Sequence, residues 1–124
     1  MKKNVLIVDD TLFMRTMLRE IIQNSNGFSV AGEAATGREA IEKFTTLRPD
    51  VVTMDIVMPD MDGIEAMKKI FEIDPSAKVV MCSVLGQESL VIESIIHGAR
   101  DFIVKPVNRE KVLNILEGIF QDGK

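Results

Sequence analysis

The sequence has little of several features that mark common protein classes. Its single cysteine, Cys82, excludes an internal disulfide and fits a reducing cytoplasm. Basic residues are not in excess, since 15 Lys and Arg stand against 19 Asp and Glu, and no basic run suggests a nucleic-acid footprint. The apolar run Val5–Val8 is too short for a membrane span, and no signal-peptide cleavage site follows it. We therefore expect a cytoplasmic protein that binds neither nucleic acid nor a membrane.

What the sequence does contain is enough apolar material for one core. It has 124 residues, of which 46% are hydrophobic, a length and composition typical of a single domain. We find no linker, repeat or low-complexity segment, and no room for a second domain. The expectation is one domain over residues 1–124, a monomer whose output comes from its own surface.

Short apolar runs alternate with amphipathic segments along the chain. The runs typical of strands are Val5–Val8, Phe28–Ala31, Val51–Met54, Lys78–Cys82 and Phe102–Val104. Five segments have the apolar spacing of helices. Four of them are Leu12–Asn24, Gly63–Ile73, Glu88–His97 and Arg109–Phe120. The other begins at the capping-box pair Thr36 and Glu39 and is stopped by Pro49. This alternation predicts an α/β fold with a doubly wound, five-stranded parallel sheet flanked by five helices. The expected strand order is 2-1-3-4-5, as in flavodoxin-like folds.

Polar side chains stand where four of these strands end. Asp9 and Asp10 follow the first strand, Asp55 the third, Ser83 the fourth and Lys105 the fifth. Taken singly, each could be an ordinary turn, cap or solvated loop residue. In a parallel sheet, however, ligands bind beyond the carboxyl ends of the strands, at the switch point between strands 1 and 3. The convergence of acids, a hydroxyl and an ammonium group at that end favours a functional site.

Three carboxylates in one crevice call for a cation. Two such charges about 4 Å apart repel by about 4 kcal/mol at an effective dielectric constant near 20. The available ligands are hard oxygens, and the chain has only one His and one Cys. The donor set therefore predicts Mg²⁺ rather than zinc.

Several short motifs carry a resemblance to a known family. They are Val8-Asp9-Asp10, Asp55 followed by Met58-Pro59 and Asp62-Gly63, Ser83, and Lys105-Pro106. Together they resemble the response-regulator receiver domain over essentially the whole chain. Further motifs are similar to the stand-alone chemotaxis receivers of Gram-positive and archaeal type: Phe13-Met14-Arg15, Thr53-Met54-Asp55, Met81-Cys82-Ser83 and Asp101-Phe102-Ile103-Val104-Lys105-Pro106.

The resemblance implies a phosphoacceptor and a metal site. Asp55 would become an aspartyl phosphate. Asp10 and Asp55 would ligate Mg²⁺ directly, together with the backbone carbonyl of Val57, while Asp9 would act through water. A carboxylate is a competent nucleophile once a cation neutralises the approaching anion, which agrees with these roles.

The resemblance also implies roles for the fourth and fifth strands. Lys105 would pair with one phosphoryl oxygen, Ser83 would hydrogen-bond another, and the Lys105-Pro106 peptide would be cis. Drawing in Ser83 would leave space beside the fourth strand for Phe102 to turn inward. The fourth helix, fifth strand and fifth helix would then form the readout surface.

The function that follows is a phosphorylation-activated signalling switch of a two-component system. As a chemotaxis response regulator, it would take a phosphoryl group from a histidine kinase and then bind a motor or motor-adaptor protein. It would catalyse only its own phosphorylation and dephosphorylation, and the latter slowly, because Val57 and Leu85 cannot orient water; a separate phosphatase is expected. A phosphorelay carrier, or a regulator of another pathway, stays open. A phosphohydrolase that uses an aspartyl intermediate fits less well, because such an enzyme has an Asp-x-Asp pair at the end of strand 1, where this chain has Asp9-Asp10.

Overall fold

The five apolar runs form the strands of one sheet, and the amphipathic segments between them form helices. The computed structural model describes residues 2–121; residue 1 and residues 122–124 of the predicted domain lie outside the described residues. The strands are β1 (Lys3–Val8), β2 (Phe28–Ala34), β3 (Val51–Asp55), β4 (Val79–Ser83) and β5 (Asp101–Val104). The helices are α1 (Leu12–Gln23), α2 (Gly37–Leu47), α3 (Gly63–Ile73), α4 (Glu88–Ile96) and α5 (Arg109–Phe120).

All neighbouring strands are parallel, and their order is β2-β1-β3-β4-β5. This confirms the predicted topology, including the switch point between β1 and β3. The expected end of β2 was wrong by three residues, because its backbone pairing with β1 continues through a register shift to Ala34. Asp55 and Ser83 are the last residues of β3 and β4 rather than the first residues after them.

Apolar side chains alternate between the two faces of the sheet, so the core has two layers. One layer lies under α2, α3 and α4, with Leu6, Val52, Met54, Phe44, Met67 and Ile70 among its buried members. The other lies under α1 and α5, with Val5, Ile7, Leu18, Ile22, Val80 and Leu116 among its buried members. Helices on both faces leave the carboxyl edge of the sheet open for polar loops.

Short polar side chains fix where the helices begin. Thr36 accepts a hydrogen bond from the backbone N–H of Glu39 at 3.0 Å, as the predicted capping box requires. The Glu39 carboxylate, however, accepts from the backbone N–H of Ala35 at 2.7 Å, one residue earlier than that box would place it. This bond lowers the pKa of Glu39.

None of the helices among the described residues combines the length and the hydrophobicity that a membrane span needs.

The last turn of α5 is fastened to the start of β1. The ring of Phe120 packs against Phe28, with 6.1 Å between the centroids. The ammonium groups of Lys3 and Lys78 lie 5.1 and 5.7 Å from the Phe120 centroid, within cation–π range. This cluster is at the amino end of the strands, opposite the edge that carries the predicted site.

Candidate functional site

Three carboxylates meet at the carboxyl edge of the sheet. Carboxylate oxygens of Asp9, Asp10 and Asp55 all lie within 4.8 Å of one another. Asp9 and Asp55 are buried, whereas Asp10 is exposed. The predicted convergence of β1 and β3 is therefore present, with one acid open to solvent and two held beneath it.

The polar groups of Asp9 are held by the surrounding backbone and side chains. Its N–H continues the sheet by donating to the carbonyl of Ala34 at 3.1 Å. Its Oδ1 accepts from both the N–H and the hydroxyl of Thr11, at 2.9 and 3.0 Å. Thr11 is also the N-cap of α1, since its hydroxyl accepts from the N–H of Met14. Asp9 and Asp10, called the acidic segment below, are thus joined by hydrogen bonds to the start of α1.

Lys105 enters the crevice from the end of β5. Its Nζ lies 2.9 Å from Oδ2 of Asp9 and 3.2 Å from Oδ1 of Asp55. Its backbone N–H donates to the carbonyl of Ser83 at 2.7 Å, and the Lys105-Pro106 peptide is cis, as expected. Burial opposes the charged ammonium form, but the hydrogen bond that Lys105 donates to Asp9 and the charge of Asp55 raise the pKa of Lys105 overall. The lysine stays protonated and offsets part of the negative charge.

Lys105 only partly offsets the energetic cost of ionising Asp55. Burial, followed by the charge of Asp9, raises the pKa of Asp55 from 3.8 to about 6, while Lys105 acts in the opposite direction. Near neutral pH the crevice therefore holds its negative charge at an energetic cost. A cation bound among these oxygens would favour the ionised form of Asp55, the form needed in a nucleophile.

The donor chemistry fits Mg²⁺. The cluster offers only carboxylate oxygens, the ligand type that this ion prefers, and Asp10 keeps the site open to the water molecules that Mg²⁺ retains. Val57, expected to supply a backbone carbonyl, lies in the loop after β3 with a half-exposed side chain. Its part in metal binding stays a prediction.

Gly63 is a site residue whose role was not predicted, although its motif was noticed. Its N–H donates to the carbonyl of Ile56 at 2.6 Å, which brings the first turn of α3 against the end of β3. A Cβ atom at this position would overlap the backbone oxygen of Asp55, so only glycine fits. Because this approach joins two elements, no local pattern in the sequence reveals it.

A second feature adjoins the acid crevice at β4. Ser83 is buried and lines an open cavity of about 420 Å³ bordered by α4, β4 and β5. Phe102 lines the same cavity with 39% of its surface exposed. Ser83 and Phe102 thus line the same cavity, and the switch that involves them stays a prediction. Leu85, in the loop before α4, is 81% exposed, and its shielding of the site stays a prediction.

Comparison with known proteins finds relatives that cover most of the chain. Residues 5–117 match the family described as Response regulator receiver domain. The chain is 56% identical over 119 residues to Chemotaxis protein CheY of Thermotoga maritima, covering 96% of this chain and 98% of that protein. It is 51% identical over 116 residues to Chemotaxis protein CheY of Bacillus subtilis, covering 94% of this chain and 96% of that protein.

A solved structure agrees with the fold. A chain in the CheX-CheY-BeF3-Mg+2 complex from Borrelia burgdorferi superposes with a TM-score of 0.89 at 46% identity, covering 95% of this chain and 89% of that chain. The resemblance drawn from Asp9-Asp10, Asp55, Ser83 and Lys105-Pro106 is thereby confirmed at the level of the family. The chain belongs to the response regulator receiver family.

Proposed function

We propose that this receiver takes a phosphoryl group on Asp55 and works as the switch of a chemotaxis pathway. Membership of the receiver family and the high similarity to chemotaxis receivers make it a phosphorylation-activated switch of two-component signalling. The observation that carries the assignment of Asp55 is its position: a buried carboxylate at the end of β3, beside two further acids and bridged to Asp9 by Lys105. Side chains that follow β1 and β5 thus lie beside that one carboxylate.

The chemistry follows from these groups. An oxygen of Asp55 attacks phosphorus, an acyl phosphate P–O bond forms, and the bond from phosphorus to the histidine nitrogen of the kinase breaks. Mg²⁺ held by Asp10, Asp55 and the backbone carbonyl of Val57, with Asp9 acting through water, would supply positive charge to the phosphoryl oxygens. Lys105 pairs with one phosphoryl oxygen, and the Ser83 hydroxyl is within the neighbouring segment, available to donate to another. Charge neutralisation and orientation are the main requirements of phosphoryl transfer, and fixed side chains meet both.

The partners follow from the same assignment. A histidine kinase supplies the phosphoryl group, and the output partner is a motor switch or motor-adaptor protein. The solved CheX-CheY complex supports the view that receivers of this type act by binding separate proteins. We assign termination of the signal to a separate phosphatase, because Val57 and Leu85 offer no polar group to an attacking water.

The acceptor assignment is tested with acetyl phosphate and Mg²⁺ on the purified chain. Intact-mass spectrometry is expected to show one added phosphoryl group on the wild type and none on Asp55→Asn. Asp60→Asn is the matched control, since Asp60 is an exposed aspartate in the following loop. An Asp55→Asn variant that is modified as fully as the wild type would refute the assignment.

A further inference from the structure

Arg15 of α1 links the acidic segment to the edge strand of the sheet. Its Nη1 donates to the backbone carbonyl of Asp9 at 2.8 Å, and its Nε donates to Oε1 of Glu33 at 3.2 Å. Both side chains are mostly buried, with 16% of Arg15 and 21% of Glu33 exposed. A guanidinium group that serves two acceptors in this way has a fixed orientation, because its donors are coplanar.

The contact to Asp9 bears directly on Asp10. The carbonyl of Asp9 and the N–H and Cα of Asp10 belong to one planar peptide unit. Holding that carbonyl therefore fixes the position of the backbone N–H and Cα from which the Asp10 side chain projects. Asp9 is also held by Ala34, Thr11 and Lys105, whereas Asp10 is exposed.

Glu33 is itself held from both sides of the sheet. Arg19 on α1 pairs with its second carboxylate oxygen, and Lys43 on α2 donates to its backbone carbonyl. Glu33 is thus held through its carboxylate by α1 and through its backbone carbonyl by α2. Arg15 and Arg19 share Glu33, but of the two it is Arg15 that donates to the acidic segment.

We propose that Arg15, oriented by Glu33, is a positioning residue that holds the backbone of Asp10 in place for Mg²⁺ binding. The proposal rests on the metal site of the proposed function. The direction in which Mg²⁺ affinity changes when Arg15 is replaced distinguishes positioning from a simple charge effect. Arg15 is a cation beside a cation site, so its charge alone weakens Mg²⁺ binding, and removing that charge would tighten binding. Loss of positioning has the opposite result.

The test is a calorimetric Mg²⁺ titration of the full chain. In Arg15→Met, which keeps the length of the side chain but not its donors, the dissociation constant is expected to rise about 10–100-fold, the usual effect of losing an outer-shell partner. Arg19→Met is the matched control, because it removes one positive charge from the same Glu33 but leaves in place the bonds from Arg15 to Glu33 and Asp9 and from Lys43 to Glu33. Its dissociation constant is expected to stay within about twofold of the wild type or to fall.

Arg15→Lys and Glu33→Gln provide a second route if Arg15→Met does not fold. Each keeps the size of the side chain and weakens the two-acceptor arrangement, so both are expected to bind Mg²⁺ less tightly than the wild type. Equal or tighter binding in the folded Arg15 variants overturns the proposal. A wild type that binds no Mg²⁺ instead refutes the metal site of the proposed function, so the two failures are distinguishable.

Discussion

At the scale of the residue, the ionised form of Asp55, which the proposed phosphoryl transfer requires, lowers the stability of the fold. Its pKa is about 6 in the folded chain, compared with an ordinary value of 3.8. The folded state therefore binds the proton more tightly than the unfolded state does. The stability associated with that proton is complete below about pH 4 and is lost as the pH rises through about 6. At neutral pH the metal-free protein is destabilised by the charge that its chemistry requires.

Neutralising Asp55 should consequently stabilise the metal-free protein. A shift of this size corresponds to about 3 kcal/mol, and the side chain is too buried for solvent to screen much of it. We expect Asp55→Asn to raise the free energy of unfolding by about 2–3 kcal/mol near neutral pH and by far less near pH 4. The measurement is urea denaturation with a chelator present. Asp60→Asn should show neither effect, and a gain in Asp55→Asn that is the same at both pH values would contradict the explanation.

At the scale of the element, α4 is packed unlike the other helices. Ser94 is its one fully buried residue among those described, and its hydroxyl donates to the carbonyl of Val91. Ile92 and Ile96 are 61% and 75% exposed, and the N-cap residue Gln87 makes no side-chain capping bond. Few buried apolar contacts and an uncapped start indicate a low free energy of local rearrangement. A helix of this kind is suited to move when the cavity beneath it is filled.

Phe102 is the side chain expected to fill that cavity. We expect a phosphoryl mimic bound with Mg²⁺ to lower the exposed fraction of Phe102 from its present 39%. Burial of the ring favours the inward state by at most about 1.5–3 kcal/mol, which is enough to shift a two-state equilibrium. Fluorine NMR of fluorophenylalanine-labelled protein would report the change, with the 71% exposed Phe13 as an internal control. An unchanged Phe102 signal under saturating mimic would reject this switch.

The elements also show where the sequence was informative. The bounds of α3 and α5 were predicted correctly, because the spacing of apolar residues is a local signal. The structure adds their capping side chains, Asp62 and Asn108. The far half of β2 was missed, since its pairing depends on the backbone of β1 and not on apolar side chains. The acids were located because parallel strands must end at one edge. The Arg15–Glu33 link could not be predicted, because it joins elements through a side-chain geometry that no spacing rule specifies.

At the scale of the whole molecule, the lifetime of the phosphorylated state limits how quickly the signal can end. In the proposed aspartyl phosphate, water would approach phosphorus in line with the Asp55 oxygen, and a side chain that orients this water would accelerate hydrolysis. Val57 and Leu85, two residues after Asp55 and Ser83, are apolar and exposed. We expect Val57→Asn combined with Leu85→Glu to shorten the lifetime without preventing phosphorylation.

The measurement is loss of radiolabelled phosphate from the purified chain in Mg²⁺ buffer. Leu47→Glu is the control, because it also places a carboxylate at an exposed leucine, but at the far end of α2. If the double variant decays no faster than the wild type, these two positions do not set the lifetime.

The cation–π cluster on Phe120 has a practical consequence for biosensor design. It joins the first residue of β1 to the last residue of α5 at the amino end of the sheet. A strand of five or six residues is about 17–20 Å long, so that cluster is separated from the acid crevice by about that distance. Fluorophores or surface tethers placed beside Lys3 and Phe120 would point away from both the crevice and the opening beside α4. Such a construction could report binding at either place without obstructing it.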